Sequence, residues 1–317
     1  MLQFENPTQE EINSSFTKFE DITQNHMGDL PIFNRYVDRY ANILSYRQTN
    51  VTLKYGFINA NFIDSINNNH AYIATQSPLY NTINDFWNMI IEHNINIIIN
   101  LTNNNDEQRG KTTFYYEKVI YLDQSDDERA PNKPITPKED YKIILSSTEE
   151  IKDKRFINIT KRVFLIQYKN DIIRNVIHYH YNGWPDSGIP SQYNDLYYLN
   201  KLVIKTPNPN NYPIVVHCSA GIGRTGVFCA INMIIKYIYN QIQENNKNIN
   251  VNIYDIVSHM REQRIMMVQT PEQYKFITLT IIDFCNRLKH IGDNINIIKN
   301  GKKYEIIKGD THITIIF

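Results

Sequence analysis

VVHCSAGIGRTGVF, residues 215–228, decides how the rest of the chain is read. The apolar, β-branched run YPIVV just before it predicts a short buried strand ending at His217. From Thr225 onward an apolar stretch of helical length follows. The connecting loop holds Cys218, Gly221, Gly223 and, after five intervening residues, Arg224. Glycines allow successive N–H groups of Ser219, Ala220, Gly221, Ile222 and Gly223 to point into one concavity, an anion-binding nest. The helix start adds unpaired N–H groups and a positive dipole end, and Arg224 supplies a guanidinium suited to two phosphate oxygens. A thiol on the floor of such a cradle is expected to fall from about 8.5 into the range of roughly 3.5–7.5. Thr225 is placed to donate its hydroxyl hydrogen to the thiolate, and His217 to order the loop behind it. One positive field then holds both a nucleophilic sulfur and a phosphate dianion.

Composition narrows the setting. The chain has 317 residues, 42% hydrophobic and 21% charged, as expected of a globular protein with a substantial core. Lys plus Arg equals Asp plus Glu at 33 each, so no global field recruits nucleic acid or an anionic membrane; an anion must be bound locally. The start MLQFENPTQEE is acidic and lacks a signal-like pattern, and the apolar stretches around 95–101 and 227–242 are too short or too polar to span a bilayer. Three cysteines make no closed disulfide framework, so the expected location is cytoplasmic. Cys229 and Cys285 fall on apolar helix faces and are expected in the core. His178 and His180 share a strand with no acid or cysteine at metal-ligand spacing and are expected to be structural, with no metal and no cofactor.

Along the chain, PTQEEINSSFTKFEDI has Thr8 and Glu11 in capping-box spacing and reads as a docking helix. Residues 52–76 suggest short strands, INDFWNMIIEHN a helix and INIIINLT a buried strand. Residues 113–121 and 140–181 alternate as strands, most clearly VFLIQY and NVIHYHY. SQYNDLYYLNKLVIK is helical, and further helices are expected over Val251–Gln263 and from Pro271 to about Lys289. The fold class is α/β: one domain, residues 1–290, with a central twisted mixed sheet flanked by helices. The tail, 291–317, carries INII, an Asn300-Gly301 turn, KYEII, a Gly309-Asp310 turn and HITIIF, a three-strand pattern of unknown role.

HCSAGIGRTG resembles the signature loop of the protein tyrosine phosphatases, Cys-x5-Arg followed by Thr or Ser. GWPDSGIP resembles that family's mobile acid loop; the resemblance makes Trp184 a hinge and Asp186 the general acid for the leaving tyrosine oxygen and then the base for hydrolysis. VQTPEQYKF resembles the glutamine loop, which implies that Gln269 positions the hydrolytic water and Gln273 supports phosphate and water. DRYANILSY resembles the phosphotyrosine-recognition segment, with Tyr40 against the substrate ring and Asn42, where many members have Asp, facing the peptide backbone. TQSPLYNTINDFW resembles a scaffold stretch containing Gln76 and Trp87, and KTTFYY nominates Lys111 as the lysine that contacts the acid loop. Either Asp106 or Glu107 anchors Arg224. In MREQRIMMVQT, which precedes the glutamine loop, the resemblance gives Arg261 the support of the signature loop, and Met266 stands where some relatives have Gly, narrowing any accessory pocket.

The resemblance covers about residues 16–289 and implies a metal-free hydrolase of phosphotyrosine in proteins or peptides, acting through a phosphocysteine on Cys218. A dual-specificity or lipid phosphatase is disfavoured because Tyr40 implies a deep slot and SAGIG lacks extra lysines. The alternative is a phosphotyrosine-binding pseudophosphatase that captures without turnover.

Overall fold

A computed structural model describes residues 5–122, 141–151, 158–185, 188–190, 193–288 and 295–317. The strands of its main sheet are, in chain order, β1 (Ala60–Ile63), β2 (Tyr72–Thr75), β3 (Ile97–Asn100), β4 (Val119–Tyr121), β5 (Tyr141–Glu150), β6 (Ile159–Tyr168), β7 (Asp171–Tyr181) and β8 (Ile214–His217). Their spatial order is β1-β2-β8-β3-β7-β6-β5-β4. The central strands β2, β8, β3 and β7 run parallel, and both outer pairs are antiparallel, so the sheet is mixed. YIAT, IIIN and IVVH are buried at every position because both sheet faces are covered.

Alternation along those strands feeds two cores. Ile97, Ile99, Ile214, Val216 and Cys218 face one, which also takes residues from α1 (Gln9–Asn25), α4 (Tyr193–Lys205), α5 (Gly223–Gln243), α6 (Ile253–Gln263) and α7 (Pro271–Asn286). Ile98 and Val215 face the other, with Phe86, Trp87, Met89 and Ile90 of α2 (Ile83–Glu92). The remaining helix, α3 (Asn104–Gln108), is short and capped by Asn103. At the other end of the chain from the tail, Thr8 and Glu11 close a capping box on α1.

A second sheet is built from β9 (Asn248–Asn252), β10 (Ile295–Asn300), β11 (Lys303–Lys308) and β12 (Thr311–Ile316). The tail forms an antiparallel meander through its two Gly turns, and β12 pairs parallel with β9, His312 opposite Asn248 and Ile316 opposite Asn252. Tyr304, Ile306, Ile313, Ile315 and Phe317 enter the same core as α5 and α7. Two boundaries differ from the sequence reading. The helix expected from Val251 begins at Ile253, because Val251 and Asn252 belong to β9 and the Asn252 side chain caps the helix through the Asp255 N–H. The helix expected to reach Lys289 ends at Asn286. Residues 113–118 lie outside any strand, held by contacts such as the Trp87 indole N–H to Tyr115 O (3.0 Å). Among the described residues, no helix is long and apolar enough to cross a membrane.

Candidate active site

β8 delivers Cys218 to the end of the parallel strands, and α5 starts at Gly223, so residues 218–222 form the bend between them. Every carbonyl in that bend is taken. Cys218 O accepts from His217 Nδ1 (3.1 Å), Ser219 O from the Ser77 N–H (2.9 Å), and Ile222 O from the N–H groups of Gly226 (2.9 Å) and Val268 (3.2 Å). Arg264 takes the other two, Ala220 O at 3.0 Å and Gly221 O at 2.8 Å. In a trans peptide the C=O of one residue and the N–H of the next point in opposite directions. Tying the carbonyls outward therefore turns the N–H groups of Ser219, Ala220, Gly221, Ile222 and Gly223 toward the hollow. Gly221 has φ +72°, and a Cβ there would lie 2.1 Å from Thr75 O, so no other residue fits.

Cys218 is 4% exposed. Burial pushes its thiol up, but the charge of Arg224, the Thr225 hydroxyl and the N–H groups of Thr225 and Gly221 outweigh it and hold the thiol below its usual range. Cys229 and Cys285 show the contrast: burial pushes both thiols up. Arg224 is fixed by a bidentate pair to Asp106, at 2.5 Å and 2.9 Å, and by Leu101 O at 2.9 Å. Asp106 is fully buried and caps its own short helix with Asn103, whereas Glu107 is exposed, so Asp106 is the anchor of the two acids.

Behind the sulfur runs a neutral hydrogen-bond chain. His217 Nδ1 donates to Cys218 O, so its Nε2 accepts from the Tyr115 hydroxyl (2.6 Å), whose oxygen accepts in turn from His178 Nε2 (3.0 Å). Burial drives the His217 pKa down to about 3, with the charges of His180, Arg39 and Arg224 adding to it, so the imidazole is neutral. His180 Nε2 donates to Thr102 O (2.9 Å), and burial takes its pKa to about 4.

The recognition residues approach from the side. The Ser219 hydroxyl donates to Lys111 O (2.5 Å), which leaves it to accept from the Tyr40 hydroxyl (2.7 Å). Tyr40 is therefore locked to the rim of the hollow, and Asn42 is exposed nearby. Gln269 and Gln273 both reach the first turn of α5: a Cβ on Gly223 would lie 3.0 Å from Gln273 Nε2 and 3.2 Å from Gln269 Oε1. The Gln269 N–H donates to Gln273 Oε1 (2.9 Å), and Thr270 caps α7 through the Gln273 N–H. Trp184 is fully buried, its carbonyl accepts from the Asn103 amide, and its indole N–H donates to Gly188 O (3.1 Å). Asp186 lies outside the described residues.

One role changes hands. Arg264, rather than Arg261, supports the signature loop, and its fork also takes Asn61 Oδ1 (2.7 Å) and Asn59 Oδ1 (2.9 Å). Arg261 sits one helical turn earlier and donates instead to Met267 O (2.9 Å) and Val268 O (2.7 Å), the residues leading into Gln269. Both arginines lose some basicity to burial, to about 10, and stay charged. Met266 packs with Ile43, Tyr46, Ile222 and Ile265 beside Tyr40, in the left-handed region at φ +54°. Sequence reasoning missed Arg39 as well. Its guanidinium takes Ser77 O (3.0 Å), Pro78 O (2.6 Å) and Gly110 O (2.9 Å), joining the recognition segment to the rim. Its partners lie in remote segments, so no local spacing announces it.

The family model for protein-tyrosine phosphatase matches residues 34–283. The chain belongs to the protein-tyrosine phosphatase family. It is 34% identical over 271 residues to receptor-type tyrosine-protein phosphatase zeta of Rattus norvegicus, an alignment covering 79% of this chain and 10% of that protein. With tyrosine-protein phosphatase non-receptor type 12 of Homo sapiens it shares 34% over 247 residues, 76% of this chain and 29% of the relative. The chain thus spans a minor part of the curated relatives it matches. The crystal structure of the catalytic domain of human protein tyrosine phosphatase non-receptor type 18 superposes with TM-score 0.68 at 26% identity, covering 86% of this chain and 95% of that one. A complex of PTPN18 with HER2-pY1196 phosphopeptides gives TM-score 0.70 at 25% identity, over 86% and 92% of the two chains. The phosphatase fold accounts for the eight-stranded sheet; β10 to β12 and α1 lie beyond the matched span.

Proposed function

We propose that this chain hydrolyses phosphotyrosine in proteins or peptides through a phosphocysteine intermediate. The observation that carries the reading is the Cys218 thiol, held below its usual range beside an Arg224 that Asp106 fixes in place. In the first step the sulfur bonds to phosphorus as the P–O bond to the tyrosine breaks, and Asp186 gives its proton to the leaving oxygen. The inward N–H groups of residues 219–223 and the Arg224 guanidinium take the charge on the phosphoryl oxygens. In the second step water, positioned by Gln269, bonds to phosphorus and gives a proton to the Asp186 carboxylate as the S–P bond breaks and the Cys218 thiolate leaves. Tyr40 fixes the depth of the slot, favouring the long phosphotyrosine side chain over phosphoserine. PTPN18, similar in fold, has been solved with phosphotyrosine peptides, which supports the same substrate class here. All three cysteines are free thiols and the reaction needs Cys218 reduced, which supports a cytosolic setting.

The test is phosphate release from a phosphotyrosine peptide without added metal. Wild type is expected to turn over and Cys218→Ser to be inactive yet folded. Turnover that survives the substitution rejects the mechanism, and tight peptide binding by wild type without release identifies a capture module instead.

A further inference from the structure

The tail grips α1 and the C-terminal end of α7, the helix that follows the glutamine loop. Lys299, whose side chain is 7% exposed, places its ammonium 2.9 Å from Glu11 Oε2 on α1. Lys302 Nζ reaches the hydroxyls of Ser14 (2.6 Å) and Ser15 (2.9 Å), and the Tyr304 hydroxyl donates to Glu5 O (2.7 Å). At the far end of the meander, Lys308 Nζ donates to Asn286 O (2.9 Å), the last residue of α7, whose first turn carries Gln273.

From α1 the contacts continue to the reaction centre. Phe19 stacks on Tyr254 of α6 (5.1 Å) and meets Tyr274 of α7 edge-on (5.2 Å). The Arg261 guanidinium lies 5.1 Å from the centres of the Phe16 and Phe19 rings and donates to Phe19 O (3.1 Å). Its other donors hold Met267 O and Val268 O. Val268 is β-branched yet has φ +61°, a conformation such a residue keeps only where its surroundings impose it. Its carbonyl is held by Arg261, which is itself seated on α1, and its N–H by Ile222 O.

We propose that the C-terminal sheet is a positioning element for the glutamine loop. Lys299 and Lys302 seat α1, α1 seats Arg261, and Arg261 holds Val268 in its strained form so that Gln269 faces the phosphocysteine. The proposal rests on the hydrolytic reading above. In that second step the water oxygen bonds to phosphorus as the S–P bond breaks; the thiolate leaves, the water proton passes to Asp186, and orthophosphate departs. An alcohol in place of water gives its phosphate monoester by the same bond changes, so the placement of Gln269 governs the choice of acceptor.

The experiment uses the full chain carrying Lys299→Met and Lys302→Met, a phosphotyrosine peptide, and glycerol as competing acceptor. The ratio of glycerol phosphate to orthophosphate is expected to rise about 3-fold or more, toward the value for Gln269→Ala. The charge-exchanged pair Glu11→Lys with Lys299→Glu is expected to bring it back. This ratio does not depend on how much enzyme is folded, so a purely stabilising tail leaves it unmoved. Amide hydrogen exchange at residues 267–269 is expected to quicken in the double variant, and this readout needs no activity. Lys302→Met alone gives the same two readings if the double variant fails to fold. An unchanged ratio with unchanged exchange overturns the proposal. Faster exchange in a chain whose wild type releases no phosphate supports the positioning role while rejecting the hydrolytic reading.

Discussion

The signature loop and the glutamine loop meet at Gly223 but are held by different parts of the molecule. The first is tied to the central sheet: Ser77, the backbone of Thr75, and Arg264 with Asn59 and Asn61, all within the matched family span. The second is tied to Ile222 O through the Val268 N–H and to Gln273. It is held as well by Arg261, which is seated on α1 outside that span. Two arginines three residues apart thus serve two loops. The ties of the signature loop fall inside the matched family span, whereas the glutamine loop is also held from α1, outside it.

Arg264→Met breaks that contrast most severely. It strips donors from the neutral acceptors Ala220 O, Gly221 O, Asn59 Oδ1 and Asn61 Oδ1, and each one left buried without a partner costs about 1–3 kcal/mol. Chemical denaturation is expected to show that loss, and any folded fraction is expected to form no phosphocysteine. Asp106→Asn is next. Arg224 loses its bidentate partner, and activity is expected to fall on the order of 100-fold. The sign of its pH effect separates electrostatics from damage: with Arg224 less neutralised, the Cys218 thiol drops further and the acidic limb of kcat/KM moves to lower pH. A limb that stays in place argues against the field of Arg224.

The neutral chain behind Cys218 predicts a pH dependence of stability. His217 and His180 titrate at about 3 and about 4 in the folded protein, below the usual 6.5. Unfolded chains bind those protons first, so stability is full above pH ~6.5 and is lost as pH falls toward those lower values. Urea midpoints at pH 7.5 and pH 5 check this; equal midpoints contradict it. The smallest effect is expected from Met266→Gly. Glycine adopts the left-handed conformation without strain but gives up the packing beside Tyr40, so stability changes by no more than about 1 kcal/mol. The change is expected in KM for peptides with bulky flanking residues, with kcat preserved.

The nucleophile, its arginine and the strand–loop–helix around them are legible in sequence because they sit within one short stretch whose chemistry depends on spacing. The tail's turns are legible for the same reason, since Asn300-Gly301 and Gly309-Asp310 are local signals. What pairs with the tail is not, because a parallel neighbour such as β9 leaves no mark on β12. Asp106 and Glu107 look alike in sequence; burial and a caps-its-own-helix geometry tell them apart. Arg264 fills the role expected of Arg261 for a similar reason: both are arginines near the end of α6, and only the direction each side chain takes from that helix decides which loop it reaches.

The parallel pairing of β12 with β9 also sets an order of events during synthesis. β9 leaves the ribosome well before its partner, and α6, α7 and two further strands must follow before the second sheet can close. A nascent chain can therefore shape its thiol cradle while the strand that completes the far side is still being translated. Premature termination after α7 is expected to yield a phosphoryl acceptor with poor control over where its phosphate goes next.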